Sequence, residues 1–452
     1  MPWVKLSRLS VPRVNLSIIH MAKKYFKDNY GIAYDTDTLS VVGFDGNKNI
    51  STLRIKDGTI SIADRAFAYR GSIKEVYLPE SLRQIGKHAF SKCRNLEKIH
   101  FNDGLEMINA FAFLACESIK EIKLPACISV IGLGAFCDCE NLNKVIINSE
   151  NRNFTADEHF VYTKNKRGIV YVIPKLLPEQ IVIPNGVKEI KAGAFWGVKI
   201  KRVVLPETIR AIRKFAFHEC NNLEQVNLPE GLKIIEDASF GYTRLKQITL
   251  PSSIRYIGKE VFASCQQLTS IQAHKNSKYM TIDGVLFSVA DGVLLSYPIA
   301  SHRKKYLIPD FVKSIANEAF GYAHNLQYVI CNRKLVEIED RAFIGCSALK
   351  EVELSNEIRR IGQAAFMDCK NLIFIDLPRN LSSLGAWTFH SCEKLRKIHF
   401  SANLMFLHEE AFAACNVEFT ISPENKWFIV CNGILYEKKL YNSEQINSET
   451  PF

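Results

Sequence analysis

The chain has 452 residues, 47% hydrophobic and 23% charged, with a formal net charge of +11. That balance matches an ordinary folded protein and excludes a disordered or collagen-like chain. No run of about 18 apolar residues occurs, so no membrane-spanning helix is predicted, and the cationic excess permits an anionic partner without requiring one.

Residues 1–20 (MPWVKLSRLSVPRVNLSIIH) are basic, and polar residues interrupt every candidate apolar core. This is a poor secretory signal, and the sequence assigns no compartment. From Gly31, the fragment GIAYDTDTLSVVGF suggests a hairpin, so residues 1–50 are predicted as an N-terminal segment and cap.

From residue 51 one sentence recurs, written at 78–101 as LPESLRQIGKHAFSKCRNLEKIHF. Its phenylalanine falls at Phe67, Phe90, Phe113, Phe136, Phe195, Phe217, Phe240, Phe262, Phe320, Phe343, Phe366, Phe389 and Phe412. The intervals are 22 or 23 residues, except for one of 59 and one of 58. A fixed period of this size means stacked structural units. Length alone suggests about three domains, but a solenoid grows along one axis and makes one long domain.

Within a unit, Ile73 to Leu78 alternates apolar and polar, as a half-buried strand does. Pro79 ends it, because proline cannot donate to a ladder. A second short extended segment, Leu82 to Ile85, closes on Gly86, where a corner can take positive φ. The stretch KHAFSKC is predicted to turn Ala, Phe and Cys inward from a compact helical or 3-10 turn. Stacked at about 4.8 Å per coil, such units would make a rod or shallow arc about 80 Å long.

The two long intervals carry matching inserts. Phe154 aligns with Tyr279, Tyr162 with Phe287 and Pro174 with Pro298. Each alternates around a turn (TKNKRG, SVADG), which predicts β-hairpins. CNGILYEKKLY from Cys431 resembles them and predicts a closing cap, since an open end exposes strand edges. The chain is therefore divided into repeats at 51–147, 185–273 and 310–423, hairpin units at 148–184 and 274–309, and a cap with a polar tail at 424–452.

The sentence LP-x-x-[LIV]-x-x-IG-x-x-AF-x-x-C-x-x-L resembles the BspA-type leucine-rich repeat, with good copies at 78–96 and at 354–372 (LSNEIRRIGQAAFMDCKNL). The resemblance runs from about residue 51 to 423. It implies a β-rich solenoid: a leucine-rich-repeat rod or arc with a main parallel sheet, short second strands and small helical or 3-10 turns, interrupted by hairpin units. It also implies a non-enzymatic, adhesin-like scaffold that binds a protein or a glycan at a cell surface or after secretion. No catalytic residue, cofactor or metal comes with it, and the chain is expected to be monomeric.

Thirteen cysteines are present. Nine (Cys93, Cys116, Cys139, Cys220, Cys265, Cys346, Cys369, Cys392, Cys415) lie three residues after a repeat phenylalanine, and Cys127, Cys137, Cys331 and Cys431 do not. An odd total in a single column, without any CxxC pair, predicts small buried thiols rather than bridges or a zinc site.

Stacking allows one repeat position to be followed from coil to coil. The outward strand position gives Glu353, Asp376 and His399 on consecutive coils, the one constellation an enzyme acting on polysaccharide could use. Lys350 and Lys397 lie near it and equally suit a solvated face. The second segment gives a stripe of cations at Lys188, Arg210, Lys233, Arg255 and Lys313, suited to an anionic partner. No aromatic row or known module accompanies it, so specific nucleic-acid binding is not expected. Tyr328, Ile330, Ile373 and Phe374 fall together on the outward face of the main sheet, as the anchors of a protein interface do. The alternative is that the hairpin from Lys278 to Pro309 folds over them.

Overall fold

The computed structural model describes residues 25–44, 50–175, 177–274, 276 and 278–438. They form two compact units, one of residues 25–243 with 253–258, the other of residues 244–252 with 259–438. Both are β-solenoids of the predicted kind. Each coil gives one longer strand to one parallel sheet and one two-residue strand to another.

In the first unit, the longer strands Thr52–Arg54, Glu75–Tyr77 and Lys98–His100 pair in register. Leu53 and Val76 point inward and are fully buried, as the alternation requires. The short strands Ser61–Ile62, Gln84–Ile85, Met107–Ile108 and Val130–Ile131 form the second sheet. In the second unit Lys305–Leu307, Tyr328–Ile330, Glu351–Glu353 and Phe374–Ile375 make the longest stretch of long-strand sheet.

The hairpin units are antiparallel meanders of three strands, and each one begins a short-strand sheet. Tyr25–Lys27, Ile32–Asp35 and Ser40–Phe44 lead into Ser61–Ile62. Phe154–Ala156, Phe160–Thr163 and Gly168–Val172 lead into Glu189–Ile190. Tyr279–Ile282, Val285–Ser288 and Val293–Ser296 lead into Ser314–Ile315. Phe428–Cys431 and Ile434–Glu437 form a final hairpin.

One buried asparagine seats a meander on the coil before it. Asn151 donates through Nδ2 to the carbonyls of Pro125, Ala126 and Ile128, at 3.1, 3.0 and 2.8 Å. Its Oδ1 accepts from the N–H groups of Asn153 and Phe154. Asn425 makes the same kind of joint to Ser401, Leu404, Trp427 and Phe428. A full set of partners is what allows an amide to be buried.

The expected helical or 3-10 turns are absent among the described residues. The AF segment is instead a run of tight turns, and in every coil but that of Phe412 two residues are left-handed, two positions before and two after the phenylalanine. Arg65 and Tyr69 (φ 62 and 63°), His88 and Lys92, and Ala364 and Asp368 are examples. The reason lies in the hydrogen bonds. A helix directs every N–H along its own axis, but here only alternate N–H groups close local turns. Ala66 and Ala68 donate to Ala63 and Arg65, whereas Arg65, Phe67 and Tyr69 donate to Lys87, Ala89 and Ser91 of the next coil.

Gly86 also departs from expectation, because its φ is not positive. A Cβ there would lie 2.7 Å from the backbone of Ala63 and Asp64 in the preceding coil. Gly362 faces Asp340 in the same way at 2.4 Å. The IG glycine is required by close approach between coils, not by an unusual torsion.

The cores are columns. Phe67, Phe90, Phe113 and Phe136 stack with centroids 5.1, 5.3 and 5.5 Å apart. Phe320, Phe343, Phe366, Phe389 and Phe412 repeat this at 4.7 to 5.3 Å. Beside the rings runs a ladder of free thiols. Cys93, Cys116 and Cys139 each donate S–H to the carbonyl of the preceding coil's Phe67, Phe90 or Phe113, at 3.1 to 3.2 Å. Cys346, Cys369, Cys392 and Cys415 do the same in the second unit.

Candidate functional site

On the long-strand sheet of the second unit, Tyr306, Val329, Val352 and Ile375 point into the core. The alternate positions therefore face outward. One outward row reads Lys305, Tyr328, Glu351, Phe374, and the next reads Leu307, Ile330, Glu353. Tyr328 is 37% exposed, Ile373 53% and Phe374 55%, while Ile330 is half-buried. Leu307, 61% exposed, extends the apolar surface. The boundary expected at residue 309 places it in the hairpin unit, although YLIP at 306–309 carries the strand-then-proline ending of the repeat. Leu307 and Ile330 also line a shallow depression with Asp310, Arg333 and Lys334.

The hairpin does not cover these residues. Its last strand joins the short-strand sheet through Val293 and Ser314, and the long-strand sheet begins at Lys305. Nor do neighbouring side chains cover them. In the first unit the outward Tyr77 is sandwiched, with the Arg54 guanidinium 3.9 Å above its ring and His100 stacked at 4.2 Å. Among the described residues, no ring or cation stacks on Tyr328 or Phe374.

Glu353, Asp376 and His399 are all exposed, but His399 lies on Lys397–Phe400, which pairs with Glu418–Ile421 and not with Phe374–Ile375. The Nδ1 of His399 lies 3.0 Å from the Thr420 hydroxyl rather than beside a carboxylate. No cluster of metal-ligating side chains exists among the described residues. The structure does not gather the three residues into an enclosed pocket.

The cationic stripe is differently composed from the expected one. Backbone N–H groups of Lys188, Arg210, Lys233 and Arg255 donate in turn to the carbonyls of Arg167, Lys188, Arg210 and Lys233. The first four predicted residues thus lie on successive coils. Arg167, on the meander, supplies a fifth rung that the repeat register missed because it lies outside the repeat. Lys313 is not in this series: its N–H donates to Gly292, in the other unit.

Burial is the largest cause of the shift for several buried groups. It pushes the thiols of Cys93, Cys139 and Cys331 up to about 12. The Glu318 carboxyl is likewise held above its ordinary range by burial, with the Glu260 charge adding to the effect.

The family model described as "BspA type Leucine rich repeat region" matches residues 38–166, 177–288 and 301–418. A leucine-rich cell surface protein from Faecalibacterium prausnitzii is 23% identical, with TM-score 0.49, covering 89% of this chain and 96% of that one. A leucine-rich repeat protein from Eubacterium ventriosum is 18% identical, with TM-score 0.45, over 91% and 97%. One from Bacteroides ovatus is 23% identical, with TM-score 0.34, over 88% and 98%. No curated protein sequence matches the chain.

Proposed function

Because the chain belongs to the BspA-type leucine-rich-repeat family, we propose that it is a non-enzymatic, adhesin-like recognition scaffold for a protein ligand. The ligand docks on the long-strand sheet of the second unit, at Tyr328, Ile330, Ile373 and Phe374. The observation that carries this is the uncovered ring of Phe374 on a rigid sheet. An aromatic side chain in water contributes nothing to a solenoid core, and it anchors an interface well because little rotamer entropy is lost on docking. The contrast with Tyr77 sharpens the point, since that outward ring is covered from within.

The test uses the full chain as bait and compares captured proteins across variants. Tyr328→Ala and Phe374→Ala are expected to leave the melting temperature nearly unchanged while losing a protein that the parent retains. A fall of several degrees would mean that these rings stabilise the fold itself. Capture identical to the parent's would place any protein site elsewhere.

A further inference from the structure

We propose that Arg167, Lys188, Arg210, Lys233 and Arg255 form a docking track for a linear sulfated polysaccharide. This site lies in the first unit and is independent of the protein-binding reading above.

The five cations are held on one line by backbone hydrogen bonds from each coil to the last. At about 4.8 Å per coil, the four steps span roughly 19 Å. The coil itself does not demand a cation here. The equivalent residues earlier in the same unit are Arg83, Glu106 and Ser129, of mixed sign, with Arg83 facing Glu106 at 4.0 Å. In the other unit the position holds Lys313, Val336, Arg359, Ser382 and Met405. Five like charges on successive rungs repel one another, and an external polyanion would relieve that repulsion.

The surroundings point the same way. Cations beside the track are engaged by carboxylates: Arg213 with Glu189 and Glu236, both at 2.7 Å, and Lys214 with Asp237 at 3.4 Å. Lys188, Arg210 and Lys233 make no ion pair among the described residues. The Arg210 guanidinium is instead fixed by the carbonyls of Glu207 and Ile209, at 2.7 and 2.9 Å, which orients it before any ligand arrives. Glu207 and Glu230 are exposed in the same turns and moderate the field without interrupting the line.

The chemistry of the ligand follows from the geometry. A one-dimensional array of evenly repeated charges fits a polymer whose anionic groups also repeat. Single-stranded nucleic acid would need a row of stacking rings as well. The residues following the five cations are Gly168, Glu189, Ala211, Ile234 and Tyr256, which give a single exposed ring.

The experiment titrates the full chain with a heparin oligosaccharide, its desulfated counterpart and oligothymidylate of similar length, over a series of salt concentrations. The parent is expected to bind the sulfated chain in a salt-dependent manner and the desulfated chain at least tenfold more weakly. The double change Lys188→Gln and Lys233→Gln should weaken heparin binding at least tenfold. It should also flatten the plot of log affinity against log salt, since fewer counterions are released. Lys313→Gln should change affinity less than twofold. These exposed neutral substitutions shorten the side chain by only one atom, and an unchanged melting curve verifies the fold. No binding by the parent at low salt, affinity unaffected by the double change, or tighter binding of oligothymidylate would each overturn the proposal.

Discussion

The thiol of Cys93 sits between two coils, donating to the Phe67 carbonyl while its own coil's phenylalanine stacks beside it. Such a group is chemically quiet, because the reactive species is the thiolate and burial disfavours it. Alkylation of the native protein near pH 8 should therefore modify the exposed Cys127 first. Cys93, Cys116, Cys139, Cys369 and Cys392 should stay unmodified until denaturant is added, as peptide mapping would show. The pH dependence has a definite sign. A thiol raised in the folded state contributes stability in full below its unfolded pKa, about 8.5, and loses it as pH climbs toward the folded value. With Cys93 and Cys139 folded at about 12, the melting temperature should fall from about pH 8.5 upward, less steeply once both are alanine.

Glycine gives a second test at this scale. Gly86→Ala should cost roughly 1–3 kcal/mol by forcing two coils apart. Gly71→Ala, where a new Cβ meets nothing within 4 Å, should be nearly neutral; chemical denaturation of the two variants distinguishes these outcomes. The sequence shows that a glycine is wanted at position 86 but not why. Positive φ and close approach both select for a missing Cβ, and only the neighbouring coil decides between them.

Among elements, the meanders depend on their asparagines. Asn151→Ala would strand the carbonyls of Pro125, Ala126 and Ile128 and release the N–H groups of Asn153 and Phe154. A cost of about 2–4 kcal/mol is expected, as for several buried groups left unpaired. Hydrogen exchange should speed up at residues 153 and 154 before it does in the repeats. The signal for this residue was present, since ENRNF at 150–154, KNSKY at 275–279 and ENKWF at 424–428 each place Asn three before the aromatic that opens a hairpin. It is hard to recognise because a polar residue between repeats looks like any loop residue. The turns are not legible in the sequence for a different reason. Their left-handed positions carry Arg65, His88, Phe111, Glu260 and Trp387, outward-facing residues with no common chemistry and rarely a glycine. Strands and columns were legible because burial restricts each of their positions to one or two residue types.

Over the whole molecule, stability is a sum of coils and of the contacts between neighbours. Phe366→Ala removes one ring from a column and should cost roughly 3–5 kcal/mol. The loss should appear as faster hydrogen exchange in the coils carrying Phe343 and Phe389, fading with distance along that unit. The candidate sites were legible here only as lines of residues. The sequence placed Tyr328 and Phe374 on one face but could not show that the hairpin joins the other sheet. It found four rungs of the cationic track and lost the fifth to a break in the period.

The alternating donors of the AF turns have one more consequence. The amide of Phe320 reaches the Ala342 carbonyl, and that of Phe343 reaches Ala365. Each coil is thus finished only by the coil that follows it, with bonds to backbone atoms that are the same whatever the side chain. Coils are therefore interchangeable at their joints, like links cut to one gauge. If residues 342–364 are excised, Ala365 falls where Ala342 was, and Phe320 finds the same acceptor one link sooner. A cut of half that length would leave an amide pointing at nothing. Excisions that leave the fold intact within a run of repeats are therefore expected to come in whole links.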